Sequence, residues 1–135
     1  MRRRFFILGG ALALYLIDRS LKSWASYALP THGLFVSFGR LENGGGVFST
    51  PIPRVVLITG AGLALMFLVA LAERAWRRGR LTTLAGSSLM LVGGCSNLLD
   101  RLTGAGVVDV FQLQGGLSFN LADVYLLAGL TMLVL

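Results

Sequence analysis

The sequence predicts an all-α membrane protein with four transmembrane helices and a small extracytoplasmic β-rich loop region, folded as one domain over residues 1–135. Three observations carry the prediction. Residues 55–72 and 81–99 run for 18 and 19 residues without a charge, and each is long enough to cross about 30 Å of hydrocarbon as a helix. Only 13% of the 135 residues are charged while 55% are apolar, and the mean hydropathy is +0.75; soluble domains carry about 25% charged residues. The basic residues fall in blocks, with Arg2, Arg3 and Arg4 before the first apolar run and Arg74, Arg77, Arg78 and Arg80 between the two long ones. Excess Lys/Arg marks the cytoplasmic side, so two such blocks on that side require an even number of crossings.

The first span covers about 5–28. Its basic start and short apolar core also have the form of a secretory signal, with small residues for cleavage in "ASYA". Asp18 and Lys22 stand at i, i+4 just past that core, on one helical face where they can neutralise each other. That spacing favours a retained span, although an exposed ion pair worth a few tenths of a kcal/mol would give the same pattern; this segment alone leaves both readings open. Span two, about 55–72, follows "STPIPRVV", whose prolines suit a helix start. Span three covers about 81–101. Span four, about 120–135, is barely long enough. Small residues recur in the spans (Gly60, Gly62, Ala64; Gly86, Ser87, Ser88; Gly93, Gly94) and permit close helix contact where lipid gives no hydrophobic drive for association.

Between spans one and two, residues 34–41 alternate partially between apolar and polar, and a glycine run follows; residues 107–113, "VVDVFQL", lean the same way. Short extended segments and tight turns are expected there. His32, the only histidine, falls in a loop and receives no role. Cys95 is the only cysteine, so no internal disulfide forms. "LVGGCSN" has the look of a lipidation box, but such a box works at the end of an N-terminal signal. Cys95 is expected as a small buried thiol packed in a helix.

A net charge of +6 would suggest nucleic acid in a soluble protein. Here the placement of the charges reads as topology, with both termini cytoplasmic and no nucleic-acid partner. Segments 18–54 and 100–120 then lie outside, which puts Asp18, Asp100, Asp109 and Asp123, all the aspartates, at the outer boundary together with Glu42. Only Glu73 is left inside. Folding gives no reason to gather acids at one depth, and boundary ionisable groups are functional candidates by default.

Two clusters sharpen this expectation. In "GGCSNLLDR", Gly93, Asn97 and Arg101 recur at i, i+4, with Asp100 three residues after Asn97, giving the end of span three one polar face. In "FNLAD", Asn120 can cap span four with Asp123 near its N3 position, where the helix dipole also favours a carboxylate. A capping role would suffice for Asp123, but it leaves Asp109 unexplained. Asp109 lies between valines in "GVVDVF" and needs a partner, which Asp123 can supply once the chain folds back. One histidine excludes HExxH zinc sites, and no metal or organic cofactor is called for; no G-x-S-x-G, Walker loop or dinucleotide fingerprint occurs, and Lys22 is the only lysine. Carboxylates with water remain. Two aspartates brought together share a proton, one acting as base on a water and the other polarising the carbonyl.

These residues resemble the lipoprotein signal peptidases, the signal peptidase II family of bacterial inner membranes. "DRSLK", "NGGGVFS", "GGCSNLLDRLTGAGVVDV" and "FNLAD" match the family's motifs in order and spacing over nearly the whole chain. The resemblance implies an aspartic endopeptidase with Asp109 and Asp123 as the catalytic dyad. It implies that Asn43, Asn97, Arg101 and Asn120 line or brace the site, and that Asp18, Lys22 and Asp100 are supporting polar partners. The substrate it implies is a prolipoprotein whose cysteine already carries diacylglyceryl, cut just before that cysteine. Membrane lipids and a globomycin-type inhibitor are the other expected partners, and the protein is expected to be a monomer. An extracytoplasmic β-cradle and mobile loop are expected from residues 34–48 and 107–113. Ser96 in place of glycine, Val110 in place of phenylalanine and Gly46–Val47 in place of Ala-Ala depart from the family pattern and bear on loop packing and substrate range. A proton- or ion-handling protein using the same acids, or a catalytically silent homologue, are the alternatives.

Overall fold

The computed structural model describes residues 1–28, 30–33, 35–45, 50–104 and 106–135, without the side chain of His32. Four long helices, α1 (Arg2–Ala25), α2 (Arg54–Arg78), α3 (Leu81–Thr103) and α4 (Leu121–Val134), carry a small sheet of strands β1 (Thr31–His32), β2 (Val36–Asn43), β3 (Val107–Leu113) and β4 (Ser118–Phe119). Against the expected spans, α2 runs a turn and a half further into the arginine-rich segment and α3 two residues further, α1 starts and ends three residues earlier, and α4 is one residue shorter at each end. His32 belongs to β1, paired with Ser37, rather than to a loop.

A proline and a glycine set the ends of α2. Pro53 is the N-cap of α2. Gly79 ends that helix at φ 71°, a left-handed conformation that costs other residues a Cβ clash. The Arg80 and Gly79 N–H groups then bond to the carbonyls of Ala75 and Trp76 at 3.0 and 3.2 Å, the paired pattern of a Schellman turn. The turn folds α3 back along α2. At the same end Arg4 sits over the Trp76 ring at 5.4 Å and Phe5 meets it edge-on at 5.5 Å. The two basic blocks therefore share one end of the bundle.

Helix α3 is the central element, packed on α1, α2 and α4. Its contact with α4 depends on missing side chains. A Cβ on Gly93 would collide with the Ala122 carbonyl oxygen, one on Gly86 would lie 2.9 Å from the Gly129 carbonyl oxygen, and one on Gly129 would lie 2.5 Å from that of Gly86. Small residues permit this backbone approach. Gly60 and Gly62 of α2, expected to serve the same purpose, have nothing within 4 Å of a built Cβ; they face outward, because α2 meets α3 on another face, where Leu65 packs on Gly94.

The sheet is antiparallel with order β1-β2-β3-β4. Leu41 stands opposite Asp109 and Phe38 opposite Phe111, with a bulge between them. Gly115 and Gly116, at φ 103° and 88°, turn β3 into β4. Trp24, Phe38, Phe111 and Phe119 form a continuous aromatic row across the sheet, with centroid spacings of 4.9, 5.9 and 5.3 Å.

The distribution of side chains is inverted relative to a soluble domain. Asp18, Lys22, Ser87, Ser96, Asn97, Asp100, Asp109 and Asn120 are buried, while Phe5, Phe6, Leu12, Val55, Phe67 and Leu127 are exposed. Among the described residues one helix, α2, meets the length and hydropathy needed to cross a membrane, and only 6% of its apolar window is buried inside the protein. Helix α4 is apolar but shorter.

Candidate active site

Asp109 projects from β3 between the buried side chains of Val107 and Val110 and is itself 2% exposed. Both of its oxygens are engaged. Oδ2 accepts from Ser118 Oγ at 2.6 Å, and Oδ1 accepts from Asn120 Nδ2 at 3.0 Å. The hairpin turn through Gly115 and Gly116 is what brings Ser118 back beside it.

Asp123 lies at N3 of α4 in the capping box anticipated from the sequence. The Asn120 side-chain oxygen accepts from the Asp123 N–H at 3.0 Å, and the Asn120 N–H donates to Asp123 Oδ2 at 3.1 Å. Asp123 Oδ1 accepts from Asn97 Nδ2 at 2.8 Å. Asn120, fully buried, thus touches both carboxylates: Asp109 through its side-chain amide and Asp123 through its backbone. The capping box is present as expected, whereas the hydrogen-bond partners of Asp109 are Ser118 and Asn120, and the described bonds link it to Asp123 only through Asn120. Asp109 acts electrostatically on Asp123, and the Arg101 guanidinium is in the field of Asp109, Asp123 and Asp100.

Below this pair lies a buried knot that joins α1, α3 and α4. Lys22 Nζ donates to Asp100 Oδ2 at 2.7 Å and Asn97 Oδ1 at 2.8 Å, and is 3.3 Å from Asp18 Oδ2. Arg19 pairs with the other oxygen of Asp100. Asp18 accepts from the Ala122 N–H at 3.0 Å and from Ser96 Oγ at 2.5 Å. Ala122 is in the first turn of α4, whose N–H groups have no helical partner, so α1 caps α4. Asp100 also accepts from the Val108 N–H at 3.2 Å and so braces the strand that carries Asp109. Two acids face two bases, which leaves the knot neutral. An isolated charge buried there would cost several kcal/mol. Asp18 and Lys22 are therefore a buried pair, not an exposed one.

The other predicted residues are placed unequally. Among the described residues Arg101 Nη1 and Nη2 make only long contacts, 3.5 Å to the Asn97 carbonyl and 3.4 Å to the Gly45 carbonyl, and its buried Nε has no partner. Asn43 ends β2 opposite Val107, and its side-chain oxygen accepts from the Gly45 N–H at 3.0 Å; it shapes the loop, and none of its described bonds reaches either carboxylate. Gly46, Val47, Phe48 and Ser49, the rest of the expected loop, lie outside the described residues, as do Leu29, Leu34 and Ala105. Cys95 is exposed, not buried. The buried arc of this turn of α3 runs through Val92, Gly93, Ser96, Asn97 and Asp100, and position 95 falls on the opposite side. Among the described residues no group of three His, Cys, Asp or Glu side chains is arranged to hold a metal.

Three participants were not singled out as site residues from the sequence. Ser118 looks like hairpin polarity, yet it stands two residues before Asn120, and the alternation of an extended segment puts both on one side. Arg19 adjoins Asp18 and was the remaining cation of "DRSLK". Ser96, noted only as a departure, is fully buried and donates to Asp18.

The same arrangement of helices and sheet occurs in solved structures of a bacterial membrane enzyme. One aligns with 99% of this chain and 86% of its own at a TM-score of 0.80 and 18% identity; another aligns with 99% and 91% at 0.77 and 19%. The sequence model described as Signal peptidase (SPase) II matches residues 10–135. The chain belongs to the signal peptidase II family. Its relatives include the lipoprotein signal peptidase of Streptococcus pneumoniae (strain ATCC BAA-255 / R6), 28% identical over 100% of this chain and 94% of the relative. That of Streptococcus pyogenes serotype M5 is 30% identical over 100% and 93%, and that of Xylella fastidiosa strain M12 is 30% identical over 88% and 80%. The family makes the protein a peptidase.

Proposed function

We propose that this chain is a membrane-embedded aspartic endopeptidase. It cleaves the signal peptide of diacylglyceryl-modified prolipoproteins just before the lipidated cysteine, with Asp109 and Asp123 as its dyad. The relatives' activity on lipoproteins supports the substrate class. The observation that carries the dyad is Asn120, one buried residue bonded to both carboxylates. Two carboxylates held together ionise with difficulty as a pair and share one proton. The ionised member takes a proton from a water as its oxygen bonds to the scissile carbonyl carbon, and the protonated member gives its proton to the carbonyl oxygen. On collapse of the resulting diol one hydroxyl returns its proton to the ionised member while the other member gives the proton it took from water to the amide nitrogen as the C–N bond breaks, which restores the singly protonated dyad.

The supporting residues follow from their bonds. Asn97 and Asn120 fix the carboxylates, and Asp18, Lys22 and Asp100 hold Asn97 and β3. Arg101, whose Nη groups make only long contacts among the described residues, donates to a carbonyl of the substrate backbone. Asn43 turns the chain at the end of β2 through its bond to Gly45.

The four helices cross the bacterial inner membrane with both termini and both arginine blocks cytoplasmic, and the dyad at the extracytoplasmic boundary. The exposed apolar faces contact lipid, and the excess of exposed Phe, Leu and Val over buried ones supports this. A cysteine anchored by diacylglyceryl holds its scissile bond at that depth. The protein works as a monomer. The test is processing of a lipidated prolipoprotein by the purified protein, read as a size shift. Cleavage of the lipidated form only, stopped by globomycin, is expected; flux of protons without cleavage, or no cleavage, overturns the reading.

A further inference from the structure

Among the described residues the two carboxylates have four hydrogen-bond donors, and three can only donate. Asn97 presents Nδ2 to Asp123 because its Oδ1 is taken by the Lys22 ammonium, which has no acceptor capacity. Asn120 presents Nδ2 to Asp109 because its Oδ1 is taken by the Asp123 N–H. The Asn120 backbone N–H is the third donor. Ser118 is the fourth, and a hydroxyl can turn round to accept.

Both oxygens of Asp123 therefore face obligate donors, whereas Asp109 Oδ2 faces a hydroxyl that can instead accept a hydrogen bond from it. We infer that Ser118 is a positioning residue that marks Asp109 as the proton-bearing member of the dyad and leaves Asp123 as the ionised base. This rests on the dyad reading above. In the first step the Oδ2 proton of Asp109 goes to the carbonyl oxygen while Asp123 takes one from water. Ser118 then donates to the newly ionised Asp109, a charge-assisted bond stronger than the one it replaces.

The consequence has a definite sign. Without the hydroxyl, ionised Asp109 loses its stronger partner and holds its proton more tightly. Loss of the proton from the working monoanion is the alkaline limb of the pH–rate profile, so that limb moves up. Among the described residues the charged groups acting on the pair are Lys22 of α1 and Arg101 of α3, with Asp18 and Asp100 paired to Lys22 and Arg19 paired to Asp100. A change at position 118 of β4 removes none of them, so the comparison isolates the hydroxyl.

The experiment measures kcat/KM against pH for the full chain in detergent micelles with a lipidated prolipoprotein. Ser118→Ala is expected to raise the alkaline limb by about one pH unit, and Ser118→Thr to restore it. If the alanine variant fails to fold, Ser118→Cys, close in volume with a weak S–H donor, must move the same limb upward. Movement of the acid limb instead puts the charge on Asp109 and overturns the assignment, and unmoved limbs overturn the role of Ser118. An Asp109→Asn variant that still cleaves would instead overturn the dyad reading itself, so the two failures are distinguishable.

Discussion

Lys22 on α1 holds Asn97 on α3 by its amide oxygen, Nζ to Oδ1, at 2.8 Å. Because an ammonium only donates, this bond decides which face of the amide meets Asp123, and one helix thereby sets the hydrogen bonding of a carboxylate on another. Lys22 also neutralises Asp18 and Asp100. Lys22→Met would leave two buried acids facing Arg19 alone. Breaking a buried pair from one side costs about 3–5 kcal/mol, so the variant should melt well below the parent in detergent and lose processing. An unchanged melting temperature would refute the buried knot.

Gly93 and Gly60 give opposite expectations from the same substitution. Gly93→Ala drives a methyl group into the Ala122 carbonyl and pushes away the first turn of α4, which carries Asp123. It should reduce processing at least tenfold and destabilise by about 1–3 kcal/mol, the usual range for overpacking. Gly60→Ala meets open space and should be neutral, or stabilising by up to about 1 kcal/mol through helix propensity. Thermal unfolding and turnover of the two variants side by side provide the check, and similar behaviour would contradict the α3–α4 packing.

Topology is tested by single cysteines in a Cys95→Ala background. Arg78→Cys lies in the arginine block and Arg40→Cys in the exposed part of β2. A membrane-impermeant maleimide added to intact cells with a permeable outer envelope should label position 40 and spare position 78, and inverted vesicles should reverse the pattern. Labelling of both from one side would contradict the four-span arrangement.

Local features were readable from the chain, and features made by assembly were not. The capping box of Asn120 and Asp123 spans three residues, so its chemistry is complete in "FNLAD". The polar face of Asn97, Asp100 and Arg101 follows from helical spacing, and the alternation in 107–113 from strand spacing. The knot could not be read, because Asp18 meets Ala122 and Ser96 across more than 70 residues, and only packing decides that α1 caps α4. Composition identifies small residues but not which face has a neighbour, hence the outward Gly60 and Gly62. The exposure of Cys95 was available in principle: two residues from Gly93 and two from Asn97 is close to half a turn away from the buried arc. Ser118 escaped because a serine after "QGGL" has the composition of a turn.

The central claim is that two aspartates from separate segments act as one catalytic unit. The most direct measurement is turnover of a lipidated prolipoprotein in proteoliposomes by Asp109→Asn and Asp123→Asn, each checked for parent-like unfolding. Asparagine keeps the shape of either side chain and removes its ability to exchange a proton, so both variants should fall by a factor of about 10³ or more, in line with loss of general acid–base catalysis. A folded variant of either position that cleaves at a rate near that of the parent would contradict the account.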